Sequence, residues 1–254
     1  MSSDCSRITA VVLAGGFGTR IRHLLPDVPK PMASVAHRPF LEHVVRYTAG
    51  FGFRRFLLST GYLSEVIEAH FARGPVPGVT VLCAREAEPL GTAGGFLNAT
   101  RADTSSAPEA WLVLNGDSLA FADLGALADA LDRGGWDAAI LGLRVPDAAR
   151  YGTLEAAPDG TLLRFSEKRS GAGLINAGVY LFRVSALGHF PPGPRLSFET
   201  EVFPALIAAG CRILVHPVEA PFLDIGTPES LAQAEAFILE HGAAHGLPGM
   251  VRPS

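Results

Sequence analysis

The feature that most constrains this chain is an apolar run that breaks abruptly into glycine. Ile8 to Ala14 reads as a short buried strand. Gly15, Gly16 and Gly18 follow at once, so the backbone can turn sharply and approach a ligand with no Cβ in the way. Arg20, Arg22 and Lys30 come next, Lys30 lying between Pro29 and Pro31. Proline fixes φ and restricts the residue before it, which places Lys30 on a stiff stretch. A glycine-rich turn offers amide donors to phosphate oxygens, and fixed cations offset polyphosphate charge. A ligand carrying phosphates is expected here.

Two other phosphate loops fit poorly. No Gly-Lys pair follows the glycines, as a Walker loop requires. Gly16-Phe17-Gly18 runs into Thr19, Arg20 and Ile21 without the third glycine of a dinucleotide fingerprint. On the glycines alone, an ordinary strand-to-helix turn with surface arginines is the plainer alternative.

Beyond the loop the chain alternates. Arg38 to Gly52 reads as a helix with Phe40, Leu41, Val44, Val45 and Tyr47 on one face and Gly50 as its stop. Phe53–Ser59 reads as a strand, Tyr62–Ala72 as a helix capped by Ser64 or the residues before it, and Val79–Ala84 as a strand. A helix starting at Thr92 and a strand at Trp111–Leu114 complete the first half. This rhythm predicts an α/β fold of three layers around a largely parallel sheet, with ligands at the carboxyl ends of the strands. The second half reads as a strand at Ala138–Val145, a hairpin around Pro158-Asp159-Gly160, and a strand at Leu174–Phe182. A short helix ending at Ala209, a strand at Arg212–Val218 and a helix at Ser230–His241 follow.

Two carboxylates stand out. Asp117 ends Asn115-Gly116-Asp117, directly after an apolar strand, and Asp224 follows the apolar Phe222-Leu223. Both stretches also read as plain turns. Together they offer hard oxygen ligands of the kind Mg²⁺ takes, with phosphates and waters completing the shell. Glu88 lies in Glu88-Pro-Leu-Gly91-Thr92-Ala-Gly94. Guanine presents two parallel N–H donors that a carboxylate accepts as a pair, whereas thymine and uracil present one. Glu88 therefore favours guanine if it points into the pocket, and is a solvated loop acid if it does not.

Leu13-Ala-Gly-Gly-x-Gly-Thr-Arg-x-Arg followed by Pro29-Lys30-Pro31-Met32 resembles the signature of sugar-1-phosphate nucleotidyltransferases, also called NDP-sugar pyrophosphorylases. The resemblance covers roughly residues 8 to 240 and implies a Rossmann-like α/β/α nucleotidyltransferase fold with a small β-rich sugar-binding part. It implies a loop wrapped around a nucleoside triphosphate, with Arg20 stabilising the leaving pyrophosphate, Lys30 holding the reacting phosphates, and Arg22 a further phosphate contact. Nucleotide contacts fall by match on Leu13, Ala14, Gly15, Gly16, Gly18, Thr19, Arg20, Glu88, Gly91, Thr92 and Asn115. The catalytic Mg²⁺ falls between Asp117 and Asp224. Tyr151, Gly152, Glu167, Lys168, Asn176 and Gly178 match the sugar-side motifs in order. Arg169 departs from the pattern, since many relatives continue Glu-Lys with proline.

Glu88 to Gly94 resembles the motif of guanylyltransferases acting on mannose-like sugars, which favours GTP. Gly173 to Leu181 and the short length are most similar to guanylyltransferases for D-glycero-α-D-manno-heptose 1-phosphate. Mannose 1-phosphate, or a hexose 1-phosphate with dTTP or UTP, is the alternative; a regulatory NDP-sugar-binding paralogue is another. The expected organisation is one domain over residues 1–242, with a nucleotide half at about 8–120, a sugar half at about 138–230 and a tail at 243–254.

Bulk properties narrow the partners. A net charge of −4 with scattered basic residues gives no footprint for nucleic acid. Cys5, Cys83 and Cys211 lack metal-ligand spacing and read as small apolar residues. There is no apolar run long enough for a membrane span and no signal-peptide pattern, so the cytoplasm is the expected compartment. A homo-oligomer is neither required nor excluded.

Overall fold

The structure is a computed structural model and describes residues 3–105, 107–149, 151–166 and 170–247. The first half contains β1 (Ile8–Ala14), the two-residue strands β2 (Ser34–Val35) and β3 (Arg38–Pro39), α1 (Phe40–Gly50), β4 (Arg55–Thr60), α2 (Ser64–Phe71), β5 (Thr80–Arg85), α3 (Gly91–Ala102) and β6 (Ala110–Asn115). The second half contains β7 (Ser118–Ala120), α4 (Leu124–Arg133), β8 (Ala138–Val145), β9 (Thr153–Ala156), β10 (Leu162–Ser166), β11 (Gly173–Arg183), α5 (Phe203–Ala208), β12 (Ile213–Val218), β13 (Phe222–Asp224) and α6 (Pro228–Gly242).

Among the described residues nine strands form one sheet, in the path β10-β9-β11-β6-β1-β4-β5, with β8 and β12 joined to it through β11. The pairs β1–β4, β1–β6 and β4–β5 are parallel. That delivers the carboxyl ends of β1, β4, β5 and β6 to one edge of the sheet. β11 then runs antiparallel to β6, β8 and β9. Strand β1 is buried on both faces, as a central parallel strand must be. Ala10, Val12 and Ala14 pack into one core layer and Val11 into the other. On α1 the residues Phe40, Leu41, Val44, Val45 and Tyr47 are all buried, as their spacing predicts.

Some local expectations change. Ser64 does not cap α2: it is buried in the first turn, and the residue before it, Leu63, adopts a left-handed conformation. Helix α4, absent from the sequence reading, is capped by Asp123, whose carboxylate accepts from Ala126 N–H at 2.9 Å. The stretch before α5 is a π-helical turn, Phe198–Val202, whose first amides are capped by Ser197. Helix α6 begins two residues before the expected Ser230, with Pro228 in its first turn, and Thr227 and Ser230 close a capping box. No helix among the described residues is long and apolar enough to cross a membrane.

Candidate active site

A cleft of about 470 Å³ opens where the carboxyl ends of β1 and β6 meet the start of α3. Leu13, Ala14, Gly15, Gly16, Gly18, Thr19 and Arg20 all line it, together with Lys30, Gly91, Thr92, Asn115, Asp117 and Asp224. The phosphate loop read from the sequence therefore faces a real cavity. Gly116 N–H donates to Leu13 O at 2.9 Å, which ties the end of β6 to the root of the glycine loop.

The two aspartates reach this cleft by a short device. β7 and β13 pair antiparallel, with Asp224 opposite Ser118, and Ile225 N–H donates to Asp117 O at 3.0 Å. Two acids far apart in the chain thus become neighbours. Lys30 Nζ donates to Asp117 Oδ2 at 2.6 Å and lies 3.3 Å from Asp224 Oδ1. Its side chain is only 12% exposed and begins in a single 3-10 turn, Lys30–Met32, behind Pro29. Two carboxylates converging on one cation form a donor set that suits a hard divalent ion such as Mg²⁺, completed by phosphate and water oxygens.

Glu88, the acid that the sequence reading offers to the base, does not line the cleft. Glu88 is 67% exposed and pairs with Arg195, also 67% exposed, at 2.7 Å. It borders a side cavity next to the cleft rather than the cleft itself. Glu86, two residues earlier, lines both. Its Oε1 accepts from Ser59 Oγ at 2.7 Å and its Oε2 from Leu90 N–H at 3.1 Å, so the carboxylate is held in place. A Cβ on Gly15 or Gly95 would lie 2.8 or 2.6 Å from that Oε1, so both glycines keep room for it. Glu86 follows the end of β5 directly, at the same sheet edge as Asn115.

Gly91 opens α3 with φ +76, and a Cβ there would sit 2.5 Å from Leu196 O. Only glycine fits both the dihedral and the contact. Arg22 does not face the cleft; its guanidinium lies 4.6 Å from the centre of the Tyr62 ring. That ring also meets Phe17 of the glycine loop at 5.9 Å.

The sugar-side residues behave differently. Glu167 and Lys168, with Arg169, lie outside the described residues. Tyr151 packs edge-on against Phe222 at 5.8 Å, and Gly152 O accepts from Asn176 N–H at 3.3 Å. The Asn176 side chain is committed inward: its Oδ1 accepts from Gly178 N–H at 2.9 Å and its Nδ2 donates to Tyr180 Oη at 2.7 Å. Gly178, at φ +70, packs so closely on Asn115 that a Cβ would lie 2.2 Å from Asn115 Nδ2. None of Tyr151, Gly152, Asn176 and Gly178 lines the cleft. Gly178, held by Asn176, packs behind Asn115.

The three cysteines are free, and burial raises the thiol of Cys83 to about 11. That agrees with their reading as small apolar residues.

A glycine loop, an arginine and a lysine–aspartate cluster at one sheet edge define a phosphate-handling α/β protein. The nucleotidyl transferase family matches residues 9–241, and the chain belongs to it. It is 36% identical over 236 residues to the mannose-1-phosphate guanylyltransferase of Mycobacterium tuberculosis, covering 91% of this chain and 64% of that one. It is 33% identical over 224 residues to the D-glycero-alpha-D-manno-heptose 1-phosphate guanylyltransferase of Campylobacter jejuni, covering 87% and 95% respectively. The crystal structure of HddC from Yersinia pseudotuberculosis complexed with GMP-PN is similar at a TM-score of 0.78 and 31% identity, over 90% of this chain and 98% of that chain. The chain therefore spans only 64% of the mycobacterial relative, yet nearly the whole of the other two.

Proposed function

We propose that this chain joins GTP and a sugar 1-phosphate to give a GDP-sugar and pyrophosphate. The observation that carries the reading is the convergence of the glycine loop, Arg20 and the Lys30–Asp117–Asp224 cluster on one cleft. A phosphate oxygen of the sugar 1-phosphate attacks the α-phosphorus of GTP in line. The bond from that phosphorus to the bridging oxygen breaks, and pyrophosphate leaves with the electron pair. The attacking oxygen is already an anion, so no protein base is required, and catalysis is positioning plus charge stabilisation. The amides of the glycine loop hold the triphosphate, Arg20 takes up charge on the leaving group, and Lys30 steadies the reacting phosphates. Asp117 and Asp224 would hold Mg²⁺, which supplies Lewis-acid stabilisation of phosphate charge when bound.

Glu86 supports guanine. Its carboxylate is fixed at the cleft by Ser59 and Leu90, and it accepts the two parallel N–H donors that guanine alone among the common bases presents in that form. For the sugar, D-glycero-α-D-manno-heptose 1-phosphate is favoured, because this chain matches the heptose-named relative over 95% of its length. Mannose 1-phosphate is the second reading, supported by the 36% identity to the mycobacterial protein.

The test is pyrophosphate release measured over four nucleoside triphosphates and both sugar phosphates. GTP with the heptose phosphate should give the highest kcat/KM. EDTA should abolish turnover and added Mg²⁺ restore it. Preference for mannose 1-phosphate would select the second reading, and preference for dTTP or UTP would remove the assignment of Glu86.

A further inference from the structure

We infer that Glu199, on the π-helical turn Phe198–Val202, is a positioning residue that ties the two walls of the cleft together. The inference rests on the proposed two-substrate reaction for its kinetic consequences, while the physical link stands on hydrogen bonds alone.

The link can be followed bond by bond. On the base side, Leu196 N–H donates to Leu90 O at 2.9 Å, and Ala93 and Gly94 N–H donate back to Leu196 O at 2.9 and 3.2 Å. Phe198 N–H then donates to Thr92 Oγ1 at 3.0 Å. These contacts clamp the first turn of α3, where Gly91 and Thr92 line the cleft. Ser197, at the start of the π turn, accepts from the amides of Glu199 and Thr200 at 3.2 Å each.

Glu199 carries the link across. Its Oε2 accepts from Ser197 Oγ at 2.9 Å and its Oε1 from Tyr180 Oη at 2.9 Å. Asn176 Nδ2 donates to Tyr180 Oη and lies 3.5 Å from the same Oε1. Asn176 in turn holds Gly178 N–H, and Gly178 presses on Asn115, which lines the same cleft as Thr92. The β11–β8 register shifts between Asn176 and Tyr180, so both ends of the stretch are laddered while Ala177 and Gly178 between them have no strand partner in either register. Tyr180 is 1% exposed and cannot find water in place of the carboxylate.

π-helical turns cost hydrogen-bond geometry and recur at functional positions. Here the turn aims one carboxylate at two partners on a different strand while its cap stays beside α3.

Glu199→Ala should raise the KM of GTP and that of the sugar 1-phosphate together, each by about tenfold, the scale of one lost hydrogen bond to a charged group. The effect on kcat should stay within about threefold, because nothing made only in the transition state is removed. Glu199→Gln should restore both constants, since its amide can accept from Tyr180 and donate to Ser197. Failure of Glu199→Gln to rescue, or a change confined to one substrate in Glu199→Ala, overturns the inference.

Amide hydrogen exchange on the ligand-free protein reads the link without any substrate. Glu199→Ala should speed exchange at Gly178 and at Ala93 together, and faster exchange at one alone overturns the inference. A wild-type protein that turns over no GTP would instead overturn the proposed reaction, and the exchange result would still stand or fall by itself.

Discussion

The two halves of the molecule build their sites by different rules. In the first half, β1, β4, β5 and β6 are parallel, so residues just past each strand arrive at one edge without further help. The glycine loop, Glu86 and Asn115 all reach the cleft this way. In the second half, β11 is antiparallel to its neighbours, and its motif residues turn toward one another instead of outward. Asn176 spends its amide on Gly178 and Tyr180. The lesson is that a motif residue in a parallel sheet faces the ligand by topology, whereas one on a bulged antiparallel strand can serve as framework.

The strongest test of that contrast is in the first half. Asp117→Ala and Arg20→Ala should each lower kcat by at least about a hundredfold, the range seen when one electrostatic stabiliser is lost. Near-normal turnover in either variant, measured as pyrophosphate release at saturating substrates, would mean that facing the cleft is not enough to identify catalytic residues here.

Next in size is Glu86→Gln. A glutamine offers guanine one acceptor where two donors need to be met, and sets its own N–H₂ against the other. The mismatch should cost about 1–3 kcal/mol, or roughly tenfold to a hundredfold in kcat/KM for GTP relative to UTP. An unchanged ratio of GTP to UTP use would detach the base from this carboxylate.

Much of this was legible in the sequence. The glycine loop and the two aspartates could be read because each sits where an apolar stretch stops, and Lys30 because the prolines on either side mark a stiff stretch; neither signal needs tertiary information. The meeting of Asp117 with Asp224 was readable as a hypothesis but not as geometry, because β7 and β13 have only three residues each and show no period. Ser64 looked like a cap by composition, yet left-handed Leu63 turns the chain so that the serine is buried. The network around Glu199 left no periodic trace, since a π turn breaks the helical spacing and its partners lie on another strand.

The smallest expected effect belongs to Glu88, and it separates sequence reading from structure most cleanly. Glu86 and Glu88 are both acids in one turn before α3, and the motif resemblance favours Glu88. Its pair with Arg195 is exposed to water on both sides, and exposed ion pairs contribute about 0–1 kcal/mol. Glu88→Gln should therefore leave the GTP-to-UTP ratio unchanged and shift thermal stability only marginally, with any shift vanishing as salt is raised. If Glu88→Gln alters the nucleotide ratio while Glu86→Gln does not, the carboxylate that reads the base is the one favoured by the motif, and the side cavity beside Glu88 becomes part of the base site.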